Sequence, residues 1–180
     1  MKKIIAIFLV LATIFAFSSC GEPSEVPDGM MLLENDKVTY TLYVPETWTV
    51  DIADGVSAAY ANDKSNISLM TMQWSSASYD SLEEYCQNYY KNIKATLQNV
   101  SEIEEYKDNQ YFGALPALKY VYTIGADAKE GEEAEPKYKF MQIFSYDTSG
   151  QVYIFTYTAL EANYDSHTKA VNQIVENFKP

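Results

Sequence analysis

The sequence predicts an α+β fold in which a mainly antiparallel sheet of about six to eight strands is covered by two main helices. Three observations support this prediction: short β-rich runs joined by turn residues, two long runs with helical periodicity, and strands that are apolar on both faces. The composition fits a packed domain, because 47% of the residues are hydrophobic and only seven are Gly and six are Pro.

Four strands are predicted in the first part of the domain, where short β-rich runs alternate with turn residues. The runs are residues 38–44, 48–52, 57–61 and 67–74, and the turns between them carry Pro45, Gly55 and Asn62–Asn66. In the last run, Ile67 and Leu69 share one face, whereas Met70 and Met72 share the other. These strands form a meander that needs a covering layer.

A helix of about twenty residues follows the fourth strand. Asp80 and Glu83 have the spacing of a capping box and suit the positive end of a helix dipole. The apolar residues recur at steps of three and four: Leu82, Tyr85, Cys86, Tyr89, Ile93 and Leu97. In this amphipathic helix Cys86 is interpreted as a small buried residue, with a reactive thiol as the alternative.

The second half predicts three or four further strands and a last helix. Residues 100–112 alternate moderately, residues 115–124 alternate clearly, and residues 138–146 and 152–159 flank a turn at Asp147–Gly150. Evenly spaced aromatic residues in the last two strands predict one sheet face made largely of rings: Phe140, Phe144, Tyr146, Tyr153, Phe155 and Tyr157. The last helix is predicted over residues 162–178.

The segment 126–136 is too highly charged to pack and is predicted to be a solvated loop. Its carboxylates offer a weak calcium site as the alternative interpretation, although the spacing of an EF-hand loop is missing. The carboxylates are those of Asp127, Glu130, Glu132, Glu133 and Glu135. No metal site is predicted elsewhere.

The first twenty residues have the features of a lipoprotein export signal. Two lysines precede an apolar run over residues 4–17, which is shorter than the roughly 20 residues needed to span a bilayer. Ser18 and Ser19 then stand directly before Cys20, as a lipoprotein signal peptidase requires. The predicted organisation is a signal peptide over residues 1–19, a lipidated tether over 20–29 and a single domain over 30–180.

Cys20 is the predicted lipid attachment site, where the mature protein carries diacylglycerol and fatty acyl chains such as palmitate. This anchor places the protein at the extracytoplasmic face of a bacterial cell membrane, and no other cofactor is predicted. Nucleic acid is excluded as a partner, because a net charge of −12 repels phosphates. For the same reason, attachment to the membrane comes from the lipid and not from a basic patch.

Two segments of the domain resemble a known family. Residues 40–48 (YTLYVPETW) are similar to the strand, proline and tryptophan turn that begins PsbP-like domains. Residues 152–159 and the helix end at residues 174–178 (IVENF) resemble the close of those domains. The resemblance spans residues 38–180, and it implies an α/β/α sandwich shared with a Ran-binding nuclear import factor and many bacterial lipoproteins. It also implies a role in binding or assembly, and it transfers no functional residue.

Catalytic motifs are missing from the sequence. His167 is the only histidine, and it falls at the margin of the apolar stripe of the last helix, so a surface role is predicted for it. Asp165 lies two positions earlier and therefore points to a different side of the helix, so the two cannot share a metal ion from there. No catalytic residue is predicted.

The leading hypothesis is a lipid-anchored, extracytoplasmic, non-catalytic module that binds another protein of the envelope. A second hypothesis is a solute-binding lipoprotein that holds an apolar or aromatic ligand in a cleft lined by Trp48, Trp74 and Tyr157. A third is a hydrolase, which would require His167 beside a nucleophile in a cleft.

Overall fold

Ten strands and two α-helices make up the part of the chain that this computed structural model describes, namely residues 26–53, 55–74, 79–125 and 136–180. The strands are β1 (Met30–Leu32), β2 (Tyr43–Pro45), β3 (Thr49–Ala53), β4 (Val56–Tyr60), β5 (Asn66–Gln73), β6 (Glu104–Tyr106), β7 (Tyr111–Phe112), β8 (Leu115–Ile124), β9 (Tyr138–Tyr146) and β10 (Gln151–Leu160). The helices are α1 (Leu82–Thr96) and α2 (Tyr164–Glu176), and a 3-10 turn over Glu161–Asn163 leads into α2.

The strands form one large open sheet and one small ribbon. The large sheet has eight strands, with the order β3-β4-β5-β10-β9-β8-β6 and with β7 paired beside it to β8. Every pairing in it is antiparallel. Strands β1 and β2 form a separate antiparallel ribbon. The predicted α+β fold with a mainly antiparallel sheet is therefore confirmed.

Each face of the large sheet packs against one helix, which makes the fold an α/β/α sandwich. On the α2 face, a single apolar cluster joins the sheet to α2 and to the N-terminal ribbon, with Val171 and Ile174 fully buried. On the α1 face, a second cluster joins α1 to the sheet through Cys86 and Phe144. The two clusters share no residue, because alternate side chains of a strand point to opposite faces.

Helix α1 begins one residue later than the sequence pattern indicates. Ser81 is the N-cap, and its hydroxyl oxygen accepts a hydrogen bond from the Glu84 backbone N–H at 3.1 Å. The Glu84 carboxylate in turn accepts from the backbone N–H of Asp80 at 2.8 Å. Ser81 and Glu84, rather than Asp80 and Glu83, therefore cap the helix: Ser81 satisfies one N–H of the first turn, and Glu84 satisfies the N–H of the residue before the N-cap.

The strand predicted over residues 38–44 is mostly not a strand. Only the end of this segment forms β2, which pairs with β1 outside the large sheet, and Thr41 makes an isolated bridge to Lys179. The alternation of the segment still has a structural cause, because Leu42 and Val44 are fully buried in the α2-face core. Alternation of polar and apolar residues predicts an extended backbone that packs on a core. It does not predict whether that backbone is hydrogen-bonded to a neighbouring strand.

The aromatic residues of β9 and β10 lie on both faces of the sheet, so the prediction of a single ring-rich face is wrong. The register pairs Phe144 with Ile154 and Ile143 with Phe155, and residues paired directly across strands share a face. Phe144 therefore belongs to the α1-face cluster, whereas Phe155 belongs to the α2-face cluster. The spacing within one strand does not determine which residues of the neighbouring strand pair with it. It therefore cannot show whether the rings of two strands share a face.

Coverage of the α1 face is incomplete. The cluster under α1 involves β8, β9, β10 and the end of β5. On the same face further along the sheet, Tyr60 of β4 and Met70 of β5 are 40% and 45% exposed. The expectation that both faces are covered therefore holds for the centre of the sheet. On the α2 face, Ile52 and Tyr106 of the edge strands are also exposed, at 41% and 39%.

Candidate functional site

The three residues predicted to line a ligand cleft do not meet. Trp48 and Tyr157 are buried members of the α2-face core, with exposures of 6% and 0%. Trp74 packs at the margin of the cluster on the α1 face, on the other side of the sheet. A cleft shared by all three is excluded by this geometry. Trp48 and Tyr157 are core residues, and Trp74 is the one that lines a cavity.

His167 has a packing role near the start of α2. Its Nε2 atom lies 3.0 Å from a carboxylate oxygen of Asp63, in the turn between β4 and β5, and its ring meets the Trp48 ring edge-on at 5.5 Å. Neither contact is a nucleophilic side chain. The imidazole therefore joins α2 to the β4–β5 turn, and these two contacts do not supply the nucleophile that the hydrolase hypothesis requires.

Cys86 is a buried residue, as interpreted from the sequence. It is fully buried in the α1-face cluster, and burial raises the pKa of its thiol to about 12. Because the thiolate is the reactive form, this thiol is inert at neutral pH.

The predicted lipid site and the predicted acidic loop lie outside the described residues. Cys20 belongs to residues 1–25, and the carboxylates of Asp127 to Glu135 belong to residues 126–135. Within the described ranges, no three His, Cys, Asp or Glu side chains are grouped so as to hold a metal ion. Among the same residues, no helix has both the length and the apolar character needed to cross a membrane.

A cleft of about 600 Å³ opens at one end of the α1 face. Five separate parts of the chain line it: the end of β5, the first turn of α1, the loop after β6, the start of β8, and the turn between β9 and β10. Its apolar lining comes from Trp74, Leu82, Pro116, Leu118 and Tyr146. The volume lies in the range of ligand pockets, and the apolar residues are combined with polar and charged side chains from Asp80, Ser81, Glu83, Lys107, Asp147 and Thr148.

The β9–β10 turn holds one wall of the cleft rigidly. The Asp147 carboxylate accepts hydrogen bonds from the backbone N–H groups of Ser149 and Gln151, at 2.8 and 3.0 Å, and from the hydroxyls of Ser149 and Tyr153, at 2.6 and 3.0 Å. The Ser149 hydroxyl is the largest of the effects that lower the pKa of Asp147. Asp147 is therefore an anion at neutral pH, fixed at the rim.

Trp74 is fixed by contacts on two sides. Its backbone N–H donates to the carbonyl oxygen of Gly150 at 2.8 Å, which ties the end of β5 to the β9–β10 turn. Its ring lies 6.4 Å from the ring of Tyr85 on α1 and 6.4 Å from that of Tyr79. Tyr146 on the opposite wall is 55% exposed, so its ring is available to a ligand.

The rim of the cleft is negatively charged. Asp80, Glu83 and Asp147 contribute carboxylates, and Lys107 is the cation in the lining. The Lys107 ammonium group already forms an ion pair with Glu83 and lies 3.5 Å from Glu105. The uncompensated charge at the rim is therefore anionic.

A buried polar network supports the helix that forms one wall. The side-chain oxygen of Gln142 accepts from the hydroxyls of Tyr90 and Tyr122 at 2.9 and 3.0 Å, and its amide group donates to the hydroxyls of Tyr89 and Thr156, both at 3.2 Å. Burial raises the pKa of both Tyr90 and Tyr122, so their hydroxyls remain protonated donors. All four hydrogen bonds of the amide are made, which orients α1 on the sheet.

The sequence predictions missed Gln142 and the cleft. Nothing in the residues beside Gln142 indicates that this glutamine is buried. Its burial follows from the strand register, which places it beneath two tyrosines of α1. The cleft combines residues as distant as Trp74 and Gly150, which no spacing in the chain connects.

Comparison with known proteins places the fold but not the activity. No protein-family model matches the chain, and no curated protein matches it. Among solved structures, cyanobacterial PsbP (CyanoP) from Synechocystis sp. PCC 6803 is 15% identical, with 90% of this chain and 97% of that chain covered and a TM-score of 0.51.

Two further solved structures have the same architecture. The Saccharomyces cerevisiae Ran-binding protein Mog1p is 11% identical, with 83% and 94% of the two chains covered and a TM-score of 0.52. LpqN of Mycobacterium tuberculosis, which is involved in cell envelope biogenesis, is 16% identical, with 84% and 91% covered and a TM-score of 0.51. At these identities the likeness shows the fold alone.

The molecule is thus an α/β/α sandwich whose open antiparallel sheet carries a cleft at one end. Its fold is the PsbP-like fold, shared with PsbP, Mog1p and LpqN, and the resemblance found in the sequence is confirmed at this level.

Proposed function

We propose that this protein is a lipid-anchored, extracytoplasmic, non-catalytic accessory module that binds another protein of the bacterial envelope. The observation that carries this proposal is the cleft on the α1 face, which presents an exposed Tyr146 ring and the Trp74 side chain at an anionic rim. Rigid aromatic side chains at a concave site are typical of protein-recognition hot spots.

The names of the structural neighbours support a binding role. One neighbour is a Ran-binding protein, and another is involved in cell envelope biogenesis. The site chemistry agrees, because the lining contains no histidine or cysteine and its lysine is paired with Glu83. A fold hosts many functions, so the proposal rests on the cleft and not on the neighbours alone.

Site-specific photocrosslinking in intact cells tests the proposal. A photoreactive phenylalanine replaces Tyr146 at the cleft, and the matched control carries it in place of Tyr60. Tyr60 is also exposed on the α1 face, but it lies at the end of the sheet that is far from the cleft. We expect one envelope protein to crosslink reproducibly at position 146 and not at position 60. Equal crosslinking at the two positions, or none at position 146, contradicts the proposal.

Anchoring has its own test. Cys20→Ala should abolish acylation and leave the unprocessed precursor, whereas Cys86→Ser, the matched change at the only other cysteine, should leave anchoring unchanged. Mass spectrometry of the purified protein measures both outcomes. A mature chain that begins at another residue and carries no fatty acid overturns the membrane placement.

The second candidate function is the binding of a small aromatic or apolar ligand in the same cleft. It is favoured by the volume of about 600 Å³ and by the ring of Trp74. A thermal-shift screen distinguishes it, because a ligand present at about one hundred times its Kd adds roughly 2.7 kcal/mol to the free energy of unfolding. The Tyr146→Ala variant should abolish any such shift, because it removes one wall of the cleft.

A further inference from the structure

The cleft lies at the end of the sheet that is far from the predicted tether. The first described residues join the fold where the Gly29 carbonyl oxygen accepts from the Glu46 backbone N–H, just before β3 begins at Thr49. The successive pairings from β3 to β9 place Thr49 level with Phe140. Tyr146 at the cleft is six residues further along β9, which corresponds to about 20 Å. The cleft is thus at the end of the sheet opposite to the end where the first described residues join the fold.

The lining of the cleft defines the apolar part of its ligand. The side chain of Leu82, which is 9% exposed, lines the cleft from α1, and the exposed ring of Tyr146 and the ring of Trp74 line it from the sheet. A cleft of about 600 Å³ is open to a short extended segment with one or two large side chains. Aromatic walls suit an aliphatic stem as well as a flat ring.

The rim of the cleft defines the polar part. Three carboxylates, those of Asp80, Glu83 and Asp147, surround the apolar lining, and Lys107 is already paired with Glu83. The whole chain carries a net charge of −12, which reinforces the attraction of a cationic group. Lysine and arginine combine an apolar stem with a cationic end, and the cation is further attracted by the faces of Trp and Tyr rings.

We infer that the cleft binds an extended segment of the partner protein in which a lysine or arginine stands beside an apolar residue. The apolar residue and the stem of the basic residue lie between Trp74 and Tyr146, and the cationic group lies among the rim carboxylates. This inference rests on the proposed function and specifies the chemistry of its partner.

Selection from a random dodecamer phage library on the processed chain, purified from membranes, tests the inference. Phage that also bind the Tyr146→Ala variant are removed, and Tyr60→Ala is the matched control because both rings are exposed. We expect the selected peptides to carry Lys or Arg beside an aliphatic or aromatic residue. Enrichment of acidic or uncharged peptides, or removal of all wild-type binders in the step with the Tyr146→Ala variant, overturns the inference.

Synthetic versions of the selected peptides measure the contribution of charge. Replacement of the basic residue by norleucine should weaken binding about threefold at 50 mM salt, and this ratio should approach one at 0.5 M salt. The double variant Asp80→Asn with Glu83→Gln should reproduce the weakening, whereas Asp51→Asn, on the distant edge strand β3, should not. A norleucine peptide that binds as tightly as its parent at 50 mM salt contradicts the role of charge.

The photocrosslinking experiment separates this inference from the proposed function. A partner captured at position 146 through a segment without Lys or Arg keeps the proposed function and overturns the inference. Basic peptides selected by the cleft, without any partner captured in cells, keep the inferred chemistry and overturn the proposed function.

Discussion

The two faces of the sheet are built from different chemistry. The α2 face buries aliphatic and aromatic side chains in one continuous core, which includes Phe155, Val171 and Ile174. The α1 face also packs rings, but its centre is a glutamine that four hydroxyl groups surround. Its coverage is incomplete, and it carries the cleft. The larger apolar core is thus on one face, and the proposed binding site is on the other.

The largest effect should come from the α2 face. Phe155→Ala removes a fully buried ring from the centre of that core, and we expect a loss of about 3–5 kcal/mol in the free energy of unfolding. Urea denaturation followed by circular dichroism measures it. The control is Tyr146→Ala on the α1 face of the same hairpin, where exposure limits the change to about 0.5 kcal/mol. Similar losses in the two variants contradict the division between the faces.

A glycine also contributes to the tight packing of the α2 face. Gly113 has a φ of +57°, and a Cβ atom added there would lie 2.0 Å from the backbone oxygen of Phe178. Gly113→Ala should therefore cost about 2–4 kcal/mol, from the left-handed conformation and from the displaced backbone together.

Gly55→Ala is the matched control for this change. Its φ is +75°, but the added Cβ would have nothing within 4 Å. It should cost only about 1–2 kcal/mol, because it carries the conformational strain alone. If Gly55→Ala destabilises as much as Gly113→Ala, the close approach of Phe178 is not the cause.

Loss of stability in the hydrogen-bonded network around Gln142 should be partly reversible by further substitutions, unlike a loss in an apolar core. Gln142→Leu leaves the buried hydroxyls of Tyr90 and Tyr122 without their acceptor, and we expect a loss of about 1–3 kcal/mol. Addition of Tyr90→Phe and Tyr122→Phe to this variant removes the unpaired hydroxyls and should recover about half of the loss. Additive losses in the triple variant would show that the hydroxyls have other partners.

The smallest effect should be a pH dependence near α2. Burial raises the pKa of Asp63, but the hydrogen bonds from His167 and from the Ser65 backbone lower it by more, so the net shift is downward. Because the pKa is lower in the folded state, the contact stabilises the protein above about pH 4, the ordinary Asp value, and this contribution is lost as the pH falls through the folded pKa. Asp63→Asn should thus destabilise at pH 6 and have less effect at pH 3, as measured by urea denaturation.

The fold was largely predictable from the sequence because its longest elements have local signals. The structure has β8 at residues 115–124, as predicted, and the hairpin of β9 and β10 follows from alternation on both sides of Asp147–Gly150. The helices follow from their periodicity of three and four. The prediction of a strand over residues 38–44 was mostly wrong, because burial against a core produces the same alternation as pairing in a sheet.

The candidate site was not predictable in the same way. Trp74 was selected as an aromatic residue. It lines the cleft, whereas Trp48 and Tyr157 lie in the α2-face core. The face on which a side chain lies depends on how strands that are far apart in the chain pair with one another. The spacing of residues within one strand gives no information about these pairings. The contacts of His167 with Asp63 depend on the same long-range pairing.

The two tryptophans are separate fluorescent probes of the two layers. The chain contains only Trp48, buried in the α2-face core, and Trp74, beside the cleft on the α1 face. A variant that keeps only Trp48 reports on the assembly of one layer, and a variant that keeps only Trp74 reports on the other. Stopped-flow refolding of the pair would then give the order in which the helices dock, from intrinsic emission and without an added dye.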